Sequence, residues 1–154
     1  MKFLTIIFSF LILNVNIVLT QHVYDSTKIS PNVLKIVKKL SKSKTVESVF
    51  VGFSGTISKT YQTYRKLRLN SSKEELIELT YHPKPVIRAY AFWGLAERKE
   101  SGLLSLLLDH INDTIQIDSQ FGCVGEEMKL IDFMIKLVVP EYVFTSDYLF
   151  NNQT

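Results

Sequence analysis

The chain has 154 residues, 46% of them hydrophobic and 21% charged, which is enough for one domain with a substantial buried core. It has a single cysteine, Cys123, so an internal disulfide framework is excluded and hydrophobic packing must hold the fold. The net charge is only +3, which is low for a protein that binds nucleic acid.

Residues 1–20, MKFLTIIFSFLILNVNIVLT, have the order of a secretory signal. Lys2 supplies a positive start and an apolar run follows it. Asn14 and Asn16 interrupt this run, which falls short of the roughly 20 apolar residues of a spanning helix. We therefore predict a signal peptide over residues 1–20, one domain over residues 21–154, and a secreted or periplasmic destination. A retained anchor is the alternative.

The charges are distributed unevenly along the chain. Residues 25–73 contain 11 basic and 2 acidic side chains, whereas residues 74–154 contain 6 basic and 13 acidic ones. Such asymmetry is typical of a surface that binds a polyanion or a membrane. It also lets the two halves of one domain attract each other.

The first half of the domain predicts two helices with an extended segment between them. Ser30-Pro31 is a favourable helix start, and the apolar residues of 33–40 share one face. Residues 46–55 are rich in β-branched and aromatic side chains and contain two glycines, so we expect a buried extended segment. Ser58 is placed to cap the next helix.

A capping box and a proline turn define two further helices. Ser71 and Ser72 each precede a Glu by three residues, which predicts a helix start there. Pro85 suits the first turn of a following helix that is apolar on nearly every side and is therefore buried between its neighbours. We predict that this helix is a structural hub and that its Arg88 contacts the turn before it or an acid of the next unit. The hub residues are Pro85, Arg88, Ala91, Trp93 and Leu95.

These residues carry a resemblance to a known family. A short amphipathic helix, a proline turn, then Val86-Ile87-Arg88-x-x-Ala91 and Leu95 resembles a HEAT-type repeat. The run over residues 74–123 is similar to small exported HEAT-repeat-type proteins of Bacteroidetes-type bacteria. The resemblance implies antiparallel helix pairs and no particular activity. When the sequence is aligned with itself at an offset of 28 residues, a faint second unit is seen. This alignment matches His110 with His82 and Gly122 with Gly94.

The remaining segments complete the predicted fold. Residues 103–111 have a helical pattern, residues 114–124 fit a weak helix or a short strand, and residues 125–139 predict a last long helix. The apolar tail at residues 141–150 is expected to pack on the core. The fold class is therefore predicted to be all-α, a small HEAT-like bundle of antiparallel helix pairs, or short α-solenoid.

Three residues are weak candidates for chemistry, namely His82, His110 and Cys123. A thiol dyad needs only that His110 and Cys123 meet in space. However, His110 lies on an apolar helix face and free cysteines are commonly buried, so we expect both to be packing residues. The sequence has no paired-cysteine metal spacing and no phosphate-binding glycine loop. We predict no catalytic residues, no metal and no cofactor.

The sequence thus favours an exported, non-enzymatic helical scaffold that binds a protein or peptide partner. One alternative is that the basic N-terminal half binds a polyanion or a membrane surface. A second is a thiol or hydrolytic enzyme that uses His110 and Cys123. We expect no nucleic-acid partner and no stable membrane insertion once the signal is removed; the sequence specifies neither the partner nor the oligomeric state.

Overall fold

The computed structural model describes residues 22–139, so the predicted signal at residues 1–20 and the predicted packing of the tail at residues 141–150 lie outside the described part. A 3₁₀ turn at Ser26–Lys28 precedes the first helix. The helices are α1 (Pro31–Leu40), α2 (Lys59–Asn70), α3 (Lys73–Leu79), α4 (Pro85–Glu97), α5 (Leu103–Asp109) and α6 (Leu130–Val138). The strands are β1 (Thr45–Val51), β2 (Thr56–Ile57), β3 (Gln116–Gly122) and β4 (Val124–Lys129).

The strands form one mixed sheet in the order β2-β1-β3-β4. The β1–β2 and β3–β4 pairs are antiparallel, whereas β1 and β3 run parallel although four helices separate them along the chain. The prediction of an all-α bundle is therefore wrong. The extended segment expected at residues 46–55 is confirmed, because β1 occupies most of it.

The β3–β4 hairpin explains the largest error of the sequence prediction. In β3 the buried residues Ile117 and Ser119 alternate with the exposed Gln116 and Asp118, which is the two-residue period of a strand. Gly122 has a φ of 61°, the left-handed conformation that a tight hairpin turn requires and that glycine adopts readily. Residues 124–129 therefore return as a strand, and the last helix begins at Leu130 rather than at residue 125.

The HEAT-like resemblance is also overturned. A second repeat unit would need a helix over residues 116–122, but this segment is β3, paired with β1 on one side and β4 on the other. The α3–α4 pair is thus followed by one short helix and a hairpin, not by a second helix pair. The proline and arginine that carry the resemblance belong to a mixed α/β domain.

Helix α4 forms the centre of the core, as its apolar sequence predicts. Nine of its residues, from Val86 to Leu95, are buried. The Trp93 ring lies near the rings of Tyr64 at 5.0 Å, Phe121 at 5.6 Å and Phe133 at 6.1 Å, measured between centroids. Because these rings come from α2, β3 and α6, the packing around Trp93 joins the helices to the sheet.

Side-chain caps confirm the predicted starts of α2 and α3, whereas Ser30 before α1 forms no side-chain cap hydrogen bond. The Ser58 hydroxyl accepts a hydrogen bond from the Tyr61 N–H at the start of α2. At the start of α3, Ser72 and Glu75 form a complete capping box. Pro31 and Pro85 occupy the first turns of α1 and α4, where the missing N–H costs no helical hydrogen bond.

The two faces of the sheet differ in polarity. Ile117, Ser119 and Met128 are buried on the face against which the helices pack. Their strand neighbours Asp118 and Glu127 are exposed on the other face. This open, polar face borders the candidate site described below.

Candidate ligand-binding groove

A groove of about 760 Å³ lies between the C-terminal end of α1, the start of α4 and one end of the sheet. Its volume is in the range of small-ligand and peptide clefts. It is lined by Lys38, Ser41, Lys42, Ser43, Lys44, Lys84, Pro85, Val86, Gln116, Ile117, Asp118 and Glu127. Four of these twelve side chains are lysines, contributed by the end of α1, the loop that follows it and the residue before α4.

The basic wall consists of Lys38 at the end of α1 and Lys42 and Lys44 in the loop to β1. All three side chains are exposed, and none has a hydrogen bond or an ion pair with another described residue. Lys84 completes this side of the groove, and its Nζ donates a 2.7 Å hydrogen bond to the Ser41 carbonyl oxygen. Three cationic groups are thus free to contact a ligand.

The N-terminus of α4 adds positive potential at the same place. Lys84 is its N-cap residue and supplies no side-chain hydrogen bond to the helix. The positive end of the helix dipole is therefore not offset by a capping oxygen. Lys84, Pro85 and Val86 all line the groove, so this helix end borders the space next to the lysines.

The sheet adds two acidic side chains to the lining of the groove. Asp118 of β3 and Glu127 of β4 stand directly opposite each other in the antiparallel register. Both are exposed, and no cation among the described residues pairs with either. Val86 and Ile117, both largely buried, add a small apolar part to the lining.

The predicted hub residues have different positions. Ala91, Trp93 and Leu95 are buried in the core. Pro85 borders the groove. Arg88 extends away from it: its Nη1 donates to the carbonyl oxygens of His82 and Pro83, the end of the α3–α4 turn.

His82 supports the edge of the groove. Its Nδ1 accepts a 3.0 Å hydrogen bond from the backbone N–H of Lys84, and its ring packs edge-on against Tyr24 with centroids 4.8 Å apart. Burial and the nearby charge of Arg88 lower the pKa of His82. A neutral imidazole is required for this bond, because a protonated Nδ1 could not accept it.

His110 is a buried packing residue at the end of α5. Its Nε2 lies 3.0 Å from the Thr80 hydroxyl, and its ring contacts Tyr81 with centroids 4.7 Å apart. Burial lowers the pKa of His110, although the carboxylates of Asp113 and Asp109 act in the opposite direction. The predicted location on an apolar helix face agrees with this position.

Cys123 is exposed in the turn of the β3–β4 hairpin, so the expectation of a buried cysteine is wrong. The reason is the hairpin itself, since a turn residue faces solvent. His110 precedes the other end of β3, a strand that spans about 20 Å. The structure therefore does not bring the two residues of the suggested thiol dyad together.

Glu78 on α3 anchors the N-terminal segment. It is 4% exposed and accepts hydrogen bonds from the Asp25 N–H at 2.6 Å, Lys28 Nζ at 3.0 Å and His22 Nε2 at 3.1 Å. Burial acts to raise the pKa of Glu78, but these donors outweigh it and the pKa is lowered. Helical periodicity alone assigns Glu78 to the exposed side of α3, which is why its role was missed.

A second acidic side chain, Glu97, lies at the edge of the core. It forms an ion pair with Arg68 of α2, and the buried Tyr64 hydroxyl lies in the same region. Burial raises the pKa of Glu97, with Arg68 opposing the rise, and also raises the pKa of Tyr64. The cluster joins α2 to α4 inside the fold and lies apart from the groove residues.

Residues 22–139 contain no cluster of three histidine, cysteine or acidic side chains suited to hold a metal ion. Over the same range, none of the helices has both the length and the hydrophobicity needed to cross a bilayer.

The groove itself was not predicted from the sequence. The only signal was the excess of basic residues in the first half of the chain, which did not single out Lys38, Lys42 and Lys44 among eleven cations. Their grouping depends on the position of β1 beside β3 and of α4 behind the loop. Asp118 and Glu127 come together only because β3 and β4 form a hairpin. The sequence prediction assigned Glu127 to the last helix instead, so it did not anticipate this pair.

A search of the sequence against protein-family models gave no match, and no curated protein matched it significantly.

Proposed function

We propose that this protein is a non-enzymatic binding protein that takes an acidic segment of a partner protein into its lysine-lined groove. The observation that carries the proposal is that Lys38, Lys42 and Lys44 line one cavity while their charges have no partner among the described residues. Carboxylates of a ligand would complete these interactions. The uncapped start of α4 favours a negative group at the same wall.

The shape of the site favours an extended segment of chain over a membrane surface. A bilayer presents a broad, nearly flat array of headgroups, whereas these lysines border a concave space of about 760 Å³. A peptide is narrow enough to enter such a space and to place several carboxylates along it. Val86 and Ile117 also line the groove, where the small part of each residue that is exposed can contact the ligand's aliphatic groups.

The structure offers less support for an enzyme. The suggested thiol dyad is separated by the length of β3, and His110 is engaged with Thr80. The groove contains neither a histidine nor the cysteine among its lining residues. A binding role needs charge and shape complementarity to a ligand, and it is supported by the lysines that line a concave space.

The test is the affinity of a fluorescently labelled Glu-rich peptide, measured by anisotropy in low-salt buffer. Three exposed ion pairs at roughly 0.5 kcal/mol each correspond to about tenfold in affinity. The variant Lys38→Gln/Lys42→Gln/Lys44→Gln should therefore bind the peptide about tenfold more weakly. A matched control removes the same charge from exposed lysines outside the groove, in Lys35→Gln/Lys59→Gln/Lys66→Gln.

Equal losses in the two variants would mean that overall charge, not the groove, attracts the peptide, and the proposal would fail. A parallel measurement uses vesicles that contain phosphatidylserine. Binding to the vesicles that depends on the groove lysines, with no binding of the peptide, would favour the membrane-surface alternative.

Export is a separate proposal that rests on the composition of residues 1–20. The intact mass of the protein recovered from its native host tests it. A mass that begins near residue 21 supports cleavage of a secretory signal, whereas a mass that retains residues 1–20 supports an anchor.

A further inference from the structure

The groove is lined by acidic as well as basic side chains, and the acidic ones restrict which ligands can bind. Asp118 and Glu127 line the same groove as the lysines and stand opposite each other across the β3–β4 pair. Directly opposed side chains of like charge destabilise an antiparallel sheet. Neither carboxylate has a cation partner among the described residues, although the lysines line the same cavity.

These carboxylates act against a ligand that is negative along its whole length. A polyanion held by Lys38, Lys42 and Lys44 would bring further negative groups towards Asp118 and Glu127. The resulting repulsion weakens binding, in the way that repulsive contacts give specificity at protein interfaces. A ligand that carries a cation next to its acidic groups is attracted both by the lysines and by the two carboxylates.

We propose that the groove recognises a mixed-charge peptide segment, with acidic residues against the lysine wall and a basic residue against the Asp118–Glu127 pair. This inference rests on the proposed function and narrows it, because it specifies the charge pattern of the segment. Asp118 and Glu127 are then the residues that exclude uniform polyanions such as heparin or an all-glutamate chain.

The test compares the affinities of two labelled peptides of equal length, one with an acidic half followed by a basic half and one made of glutamate alone. Wild-type protein should prefer the mixed-charge peptide. The variant Asp118→Asn/Glu127→Gln should lose this preference, with binding of the all-glutamate peptide and of heparin strengthened about threefold or more and binding of the mixed-charge peptide weakened.

The control is Glu74→Gln/Asp132→Asn, which removes the same charge from exposed positions outside the groove. If the control changes the preference as much as the groove variant does, the effect comes from net charge and the inference is wrong. The inference is also wrong if the groove variant keeps the preference of the wild type. Circular dichroism and thermal melts of each variant verify that the fold is retained.

Failure of this inference can be told apart from failure of the proposed function. If the lysine variant loses peptide binding but the carboxylate variant keeps wild-type selectivity, the groove binds acidic segments without recognising a basic residue. The proposed function then stands and the further inference is wrong. If the lysine variant retains full binding of both peptides, the groove is not the binding site and both proposals fall.

Discussion

Arg88 and Asp113 form a two-point ion pair that ties the start of α4 to the segment after α5. Nε of Arg88 lies 2.8 Å from Oδ2 of Asp113, and Nη2 lies 3.0 Å from Oδ1. The same guanidinium donates to the turn before α4. The two outcomes that the sequence suggested for Arg88, a contact with the turn and a pair with a later acid, therefore occur together.

Breaking this pair should destabilise the domain. Arg88→Gln and Asp113→Asn should each lower the free energy of unfolding by about 1–3 kcal/mol, because each leaves a largely buried charge without its ion-pair partner. Urea denaturation of both single variants and of the double variant gives the coupling energy. We expect a coupling above about 1 kcal/mol; strictly additive losses would mean that the two side chains do not stabilise each other.

The anchoring role of Glu78 predicts acid sensitivity. Its pKa is lowered in the folded protein from the ordinary 4.5, so its contribution to stability is complete above that value and is lost as the pH falls through the lower, folded pKa. Glu78→Gln should cost about 1–3 kcal/mol at neutral pH and should flatten the decline of stability below pH 4.5.

Hydrogen exchange locates the effect of that substitution. In Glu78→Gln, the backbone amide of Asp25, which donates to Glu78 in the wild type, should lose protection first. Glu74→Gln is the control because Glu74 is exposed on the same helix. Unchanged protection of Asp25 in the Glu78 variant would contradict the anchoring role.

A second pH effect comes from His110. Because burial lowers its pKa below the ordinary 6.5, the folded state favours the neutral ring, and stability falls as the pH drops below 6.5 towards the folded pKa. His110→Gln should be less stable than wild type at pH 7.5, since it loses the ring contacts with Tyr81, yet its stability should change less between pH 7.5 and 5.5. Chemical denaturation across that range measures how steeply the free energy of unfolding changes with pH. If the stability of the wild type and of His110→Gln changes equally with pH, His110 does not contribute to the pH dependence.

Cys123 should react readily in the folded protein. Its thiol is exposed in a hairpin turn, so a water-soluble thiol reagent should label it at nearly the same rate in native buffer and in denaturant. Cys123→Ser should change the free energy of unfolding by less than about 0.5 kcal/mol. Labelling that requires unfolding, or that slows when His110 is replaced, would contradict this account of the site.

Local signals in the sequence were sufficient to predict where several helices begin, but not to predict the sheet. Ser58, Ser72 and Pro85 act within one turn of their own position, so their effects are visible in a short window of sequence. The order of the strands is not local, because β1 pairs with β3 across about 70 residues. In addition, the carboxylates at 126–127 fit a helix start as well as an exposed strand, and only the Gly122 turn decides between them.

The candidate site was beyond sequence reasoning for a related reason. Each lysine of the groove is typical of an exposed helix end or loop, and nothing in its neighbours distinguishes Lys38 or Lys42 from Lys35. Their significance comes from the cavity that they share with Lys84 and Asp118, which lie about 40 and 75 residues further along the chain. Charge asymmetry predicted a basic surface but not its location.

The most direct test of the binding groove is a titration of isotope-labelled protein with the mixed-charge peptide, followed by two-dimensional amide NMR. We expect the chemical shifts that move most to belong to the residues around the groove, namely Lys38, Lys42, Lys44, Lys84, Val86, Gln116 and Asp118. Amides outside the lining of the groove, such as that of the exposed Lys66 in α2, should change least. Shifts confined to α2 or spread evenly over the surface, or no saturable change, would contradict a specific binding groove at this position.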